Sequence, residues 1–85
     1  GALDAVPTIV EIRKKAENIR MQEIEKTLKK ISHLSEDDKK LLRQMSSSMV
    51  NKILHKPTIK LKQKTQSEDG HVYLKAIRHL FHLDD

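Results

Sequence analysis

A broad apolar stripe in the segment 35–61 is the feature that most limits how this chain can fold. Ser35 and the three acids after it form a helix start, because the serine oxygen accepts a free backbone N–H and the acids favour the positive end of the helix dipole. Pro57 disfavours helical geometry in the residue before it, so we expect the helix to end at Lys56. Between these points apolar residues recur three and four apart, as on one face of a helix. They are Leu41, Leu42, Met45, Met49, Val50, Ile53 and Leu54.

This stripe is too broad for one helix of a small chain to hide. The chain has 85 residues, and a chain of that size buries only about 60–65 % of its unfolded surface when it folds alone. It has no cysteine and therefore no disulfide, and its only aromatic residues are Tyr73 and Phe81. Small domains often meet such a shortage of core by oligomerising. We therefore expect a second copy of the chain to cover the stripe.

A first helix is expected from Thr8 to about Ser32, where nothing breaks the helical pattern. Its start has two interpretations: Thr8 and Glu11 match a capping box, or Pro7 kinks a longer helix that arrives from an upstream domain. The apolar stripe is in two parts, rotated around the helix, so two different partners are expected along its length. The first part would pack outside this chain or on another copy. The parts are Ile9, Ile12, Ala16 and Ile19, then Met21, Ile24, Leu28, Ile31 and Leu34.

The rest of the chain completes an all-α interpretation with three main helices. The connection at 32–34 is short enough to require an antiparallel helical hairpin. Thr58 can cap a short turn that carries Ile59 and Leu61, and a third helix follows with Tyr73, Leu74, Ile77, Leu80 and Phe81 on one face. The predicted segments are a tail of an upstream linker helix at 1–7, a hairpin that forms the dimerisation core at 8–61, a polar linker at 62–70 and a C-terminal helix at 71–85.

Few residues suggest chemistry. His79 and His82 are spaced to share a metal ion, but no carboxylate or cysteine accompanies them at ligand spacing, so a surface role is favoured and no metal site is assigned. The serines at 46–48 lack a glycine elbow or a paired histidine, and their small side chains would let another helix come close. No catalytic, cofactor-binding or membrane-spanning segment is found. The interpretation is therefore a non-enzymatic helical domain.

A basic segment provides the alternative function. No acid occurs between Lys39 and Ser67, and the net charge of the chain is +5. Such a segment can attract phosphate backbones, so a small RNA- or tRNA-binding module remains open. A solvated helix face is the simpler interpretation, because no aromatic or glycine-rich RNA-contacting pattern accompanies the charge. The lysines concerned are Lys52, Lys56, Lys60, Lys62 and Lys64.

The segment around Pro57 also carries a family resemblance. Its pattern of apolar, Asn, Lys, two apolar, His, any residue, Pro and Thr resembles the C-terminal dimerisation domain of glutamyl-tRNA reductase. The first helix, with Val6-Pro7-Thr8-Ile9 and Ile12-Arg13, is similar to the family's entering helix, and the resemblance covers nearly the whole chain. The motif residues are Asn51, Lys52, His55, Pro57 and Thr58, for which we expect a structural role.

The resemblance implies a longer cytoplasmic enzyme that uses NADPH to reduce glutamyl-tRNA to glutamate-1-semialdehyde, at the start of tetrapyrrole (porphyrin) synthesis. In such an enzyme the catalytic cysteine, the NADPH site and most of the tRNA contacts belong to other domains, and this domain forms the homodimer. No catalytic or cofactor residue is carried over. We expect a bundle of about six helices from two copies, with this set buried in the core or the dimer interface: Ile24, Leu28, Ile31, Leu41, Leu42, Met45, Met49, Val50, Ile53, Leu54, Ile77 and Phe81.

Overall fold

The chain folds into three α-helices, of which the two longest form a hairpin. The computed structural model describes residues 4–85, and within that range it contains α1 (Val6–Lys30), α2 (Glu36–Lys64) and α3 (Gly70–Leu80), with no strand. The all-α prediction with three main helices is confirmed. Of the predicted tail at 1–7, residues 1–3 lie outside the described range.

The long hairpin of α1 and α2 gives the molecule an elongated shape. Its extents are 55 × 24 × 15 Å. The radius of gyration is 16.4 Å, against about 12 Å for a compact domain of this length. A core enclosed on all sides needs two packed layers. Over most of the hairpin one copy supplies only α1 and α2, because α3 packs at one end.

The first helix begins earlier than the capping-box interpretation predicts. α1 starts at Val6, whose N–H donates to the Asp4 carboxylate at 2.9 Å, and Pro7 lies in the first turn, where its missing N–H costs nothing. Thr8 is buried inside the helix and accepts a hydrogen bond from Arg78 of α3 at 3.0 Å. The capping box was therefore wrong, because its two polar side chains, Thr8 and Glu11, contact α3 instead.

The helix α2 begins where the sequence predicts but ends later than predicted. Ser35 is the N-cap, and its Oγ accepts the Asp38 N–H at 3.0 Å. Pro57 was expected to end the helix at Lys56, but the helix continues to Lys64 with the proline inside it. Leu61, one turn beyond the proline, is buried, and this packing offsets the hydrogen bond that the proline cannot make.

This extension also changes the predicted turn and linker. Thr58 is a half-buried helical residue and does not cap a new turn. The first residues of the expected linker at 62–70 belong to α2, and the chain then turns at 65–69 into α3. A Cβ added to Gly70 would lie 2.7 Å from the Thr65 carbonyl oxygen, so a glycine is needed where the two helices meet.

A small buried cluster lies where the three helices come together. Ala5, Ile9 and Leu61 form it, and Leu74 and Ile77 of α3 pack against it. The first half of α1 was expected to pack outside this chain or on another copy. That expectation was wrong for Ile9, which packs within its own chain.

The proline in α2 leads to a stability prediction. Pro57→Ala restores the N–H that the helix lacks and removes the ring's clash with the preceding turn. We expect the free energy of unfolding to rise by about 1–3 kcal/mol, measured by urea denaturation at one fixed chain concentration. Lys62→Ala, at an exposed position of the same helix, is the control and should change stability by less than about 0.5 kcal/mol. A less stable Pro57→Ala variant would contradict this account of α2.

Candidate dimer interface

Polar contacts hold the two long helices in register. Arg13 donates to the side-chain oxygen of Asn51 at 2.9 Å, and Arg20 donates to the Ser46 hydroxyl at 3.1 Å. Their order along the two helices is that of an antiparallel hairpin. Asn51 is a residue of the motif; its structural role stays a prediction, which this contact supports.

A third contact lies nearer the hairpin turn. Arg43 contacts both oxygens of the Glu25 carboxylate, at 2.7 and 3.2 Å. This guanidinium holds the pKa of Glu25 below its ordinary value through the hydrogen bond. Sequence reasoning missed these pairs, although opposite charges at matching positions of a hairpin are a signal that could have found the one between Arg43 and Glu25.

The broad stripe of α2 divides into two rows in the structure. Leu42, Val50 and Leu54 are half-buried or buried on the side of α2 that packs within the chain. A second row, four residues apart, remains in solvent. Its members and exposed fractions are Leu41 at 62 %, Met45 at 53 %, Met49 at 55 % and Ile53 at 66 %.

An apolar groove runs between α1 and α2 beside this second row. It has a volume of about 330 Å³ and is lined on α1 by Ala16 and Ile19 and on α2 by Met49, Val50 and Ile53. Ser46 also borders it, but its hydroxyl is occupied, since it donates to the Arg43 carbonyl at 2.8 Å and accepts from Arg20. Arg20 and Glu23 also line the groove, but the surface that it presents is almost entirely carbon.

A neighbouring groove extends the apolar surface to the end of α3. Its lining includes Ile12, Ile19, Leu80 and Phe81, so Ile19 contributes to both grooves. Ile19 and Leu80 were outside the predicted interface set, although their helical spacing was visible in the sequence. We call this whole surface, from the exposed row of α2 through Ile19 to Leu80 and Phe81, the apolar face.

The twelve residues that were predicted to be buried in the core or the dimer interface differ in their exposure in the single chain. Leu28 and Leu54 are buried, and Ile24, Ile31, Leu42, Val50 and Ile77 are half-buried in the single chain. Phe81 is exposed, as is the second row of α2. The burial of these exposed members by a second copy stays a prediction.

The end of α3 is fixed by a left-handed residue and by contacts from α1. His82 has φ 54°, and the N–H of Leu83 donates to the Arg78 carbonyl at 2.9 Å, as in a Schellman motif. The Lys15 ammonium donates to the Phe81 carbonyl at 2.8 Å, where the helix dipole favours a cation. These contacts hold the α3 end of the apolar face against α1.

Arg78 makes more hydrogen bonds between α3 and α1 than any other side chain in the part of the chain that the structure describes. Its guanidinium bonds to the Glu11 carboxylate, to the Thr8 hydroxyl and to Asp84 at 2.7 Å. Hydrogen bonds from Arg78 hold the pKa of Glu11 and the pKa of Asp84 below their ordinary values of 4.5 and 3.8. No pattern in the sequence indicated this role of Arg78.

The other motif and histidine residues do not converge on a reactive site. Lys52, His55 and Pro57 border an open notch on the surface of α2. His82 contacts Asp85. Within residues 4–85 no cluster of three or more His, Asp or Glu side chains could hold a metal ion, and no helix there is both long and apolar enough to cross a membrane.

Arg78 leads to a prediction about acid. Because both carboxylates have lowered pKa values in the folded chain, the stability they contribute is present above their ordinary values and is lost as pH falls through the folded values. We expect the melting temperature to decrease as the pH is lowered below about 4.5. The variant Arg78→Gln should melt at a lower temperature than the parent chain at neutral pH, and its melting temperature should depend less on pH in the acid range. Thermal melts followed by circular dichroism across the pH range measure both effects.

The control for this variant is Lys26→Gln. It removes the exposed ion pair within α1 in which the Lys26 ammonium lies 3.4 Å from the Glu23 carboxylate. Such pairs contribute little, so the melting temperature and its pH dependence should stay as in the parent chain. An Arg78→Gln variant that melts like the parent chain at neutral pH would contradict the role assigned to Arg78.

The chain is similar to proteins of one known family. Residues 1–83 match the family described as glutamyl-tRNAGlu reductase, dimerisation domain. The chain is 40 % identical over 84 residues to the glutamyl-tRNA reductase of Heliobacterium mobile, covering 99 % of this chain and 19 % of the relative. It is 42 % identical over 83 residues to that of Geobacter sulfurreducens, covering 98 % of this chain and 19 % of the relative. No solved structure matches the chain.

Proposed function

This chain belongs to the family of glutamyl-tRNA reductase dimerisation domains, and we propose that it joins two copies of a longer protein through its apolar face. The chain spans about a fifth of the length of the curated relatives it matches, 19 % for the first of them. The activity of the whole protein is therefore part of the proposal, and the domain's contribution is to hold two copies together.

The exposed apolar face is the observation that carries this proposal. One copy has an accessible surface of 6657 Å², whereas a compact monomer of this mass exposes about 5,200 Å². The hairpin is elongated, and several of its exposed apolar residues, among them Ile19, Met49 and Ile53, line apolar grooves. Stable obligate dimers bury large apolar areas, commonly above about 2,000 Å². A second copy of the same chain carries the same apolar face and is therefore the partner that we propose for it.

The whole protein is proposed to be an NADPH-dependent oxidoreductase that reduces glutamyl-tRNA to glutamate-1-semialdehyde. The family resemblance and the names of the relatives support this. The chain has no cysteine and only two glycines, Gly1 and Gly70, so the nucleophile and the glycine-rich turn for NADPH are assigned to other domains. A substrate carried on tRNA implies a cytoplasmic location. The dimer would fix the separation of two catalytic arms and leave room for a tRNA beside each.

A charge in the apolar face tests the proposed dimer. Met49→Asp and Met45→Asp place a carboxylate in a surface that the second copy would desolvate, and an unpaired buried charge is costly. Because both methionines are more than half exposed in one copy, we expect the variants to keep their helicity and to become monomers at micromolar concentration. Sedimentation velocity and circular dichroism measure the two properties.

Gln44→Asp is the matched control, since it adds the same charge to an exposed position of α2 that lies in the groove on the opposite side of the hairpin. It should sediment as the parent chain does. If the parent chain is itself a well-folded monomer, or if both methionine variants remain dimers, the proposed interface is wrong.

The alternative function is a basic RNA-binding module. Lys52, Lys56 and Lys60 are exposed and follow one another at four-residue spacing on α2, which favours this alternative. Binding through phosphates would weaken steeply with salt because counterions are released. A salt-sensitive tRNA gel shift by the Met49→Asp variant, together with a monomeric parent chain, would support the module in place of the dimer.

A further inference from the structure

The exposed row of α2 has a symmetric pattern of residue types. Starting from a point between Met45 and Met49, the same distances along the helix lead to Leu41 on one side and Ile53 on the other. One turn further out, on the same face of the helix, the residues are an acid and a base. The complete row is Asp38, Leu41, Met45, Met49, Ile53 and Lys56.

Asp38 and Lys56 lie at equal distances from the centre of this row. Each is nine residues from position 47, or about 14 Å along the helix. Both side chains are exposed, and neither makes an ion pair within the described part of the chain. The row is therefore apolar in the middle, negative at one end and positive at the other.

A two-fold axis imposes a specific demand on such a row. In an isologous interface residue i contacts residue j, and j contacts i in return. If two copies of α2 cross antiparallel at position 47, Leu41 meets Ile53, Met45 meets Met49, and Asp38 meets Lys56. A parallel arrangement would instead place Asp38 against Asp38 and Lys56 against Lys56, which like-charge repulsion disfavours.

We propose that two copies of this chain pair through antiparallel α2 helices centred at position 47, with Asp38 of each copy facing Lys56 of the partner subunit. This inference rests on the proposed dimer and specifies its orientation and register. The apolar middle of the row supplies the association, and the two outer charge pairs set the direction. The groove between Ile19 and Met49 then receives apolar side chains from the partner's α2.

Charge reversal tests this register. Asp38→Lys places two lysines opposite each other at both ends of the row, and Lys56→Asp does the same with two aspartates. We expect the dimer Kd of each single variant to rise about tenfold or more at low salt, near 50 mM, and the difference to shrink near 500 mM. The double variant, Asp38→Lys with Lys56→Asp, restores opposite charges and should regain the parent Kd.

Mixing the two single variants is the sharper experiment. In a mixed dimer both charge pairs become favourable, whereas each variant alone has both pairs repulsive. Native mass spectrometry of an equimolar mixture should therefore show the mixed dimer well in excess of the statistical half. A statistical mixture, or a double variant that stays weak, would overturn the register.

Control variants separate register from general effects of charge. Glu36→Lys makes the same charge change at the helix N-terminus, but two residues from Asp38 and therefore about 160° away around the helix, and Lys62→Asp changes an exposed charge elsewhere on α2. Both should keep the parent Kd, and circular dichroism verifies that all variants remain helical. A monomeric parent chain would refute the proposed dimer itself, while a dimer that ignores every reversal would refute only the register.

Discussion

Two long helices side by side cannot enclose a core, and the other features of this molecule follow from that constraint. Each helix of the hairpin offers one side to its neighbour, and α3 covers only the end where Ala5, Ile9 and Leu61 meet. In the part of the chain that the structure describes, no large side chain is fully buried. The apolar residues that the hairpin leaves outside are therefore a consequence of its layout. They are also the material from which an interface with another copy can be built.

Polar contacts compensate for the thin seam between the helices. A seam with few large apolar side chains specifies register weakly, because sliding one helix along the other changes little buried area. Arg13 with Asn51, Arg20 with Ser46, and Arg43 with Glu25 each have a fixed partner across the hairpin. The contribution of any one such surface pair to stability is small. Their value is that all three are satisfied together in only one alignment, which places the exposed row of α2 beside Ile19.

The sequence predicted the parts of this fold that depend on local chemistry. Ser35 and the acids after it start α2 because a cap and a helix dipole act within a few residues. The same local reasoning failed at Pro57 and at Thr8, where residues distant in the chain decide the outcome. Leu61 is packed by α1, which carries the helix past the proline, and Arg78 comes from α3 to occupy Thr8 and Glu11. The division of the α2 stripe into an inner and an outer row likewise required knowing where α1 lies.

The proline inside α2 has a mechanical consequence. Position 57 cannot donate to the carbonyl of Ile53, so α2 lacks a backbone hydrogen bond between the half that carries the exposed row and the half that packs with α3. A bend at this point, if α1 bent with α2, would reorient the three-helix end, where the chain enters α1, while the other half stayed in place. In a longer protein, domains attached at that entrance could swing by several ångströms without any loosening of the surface that holds two copies together.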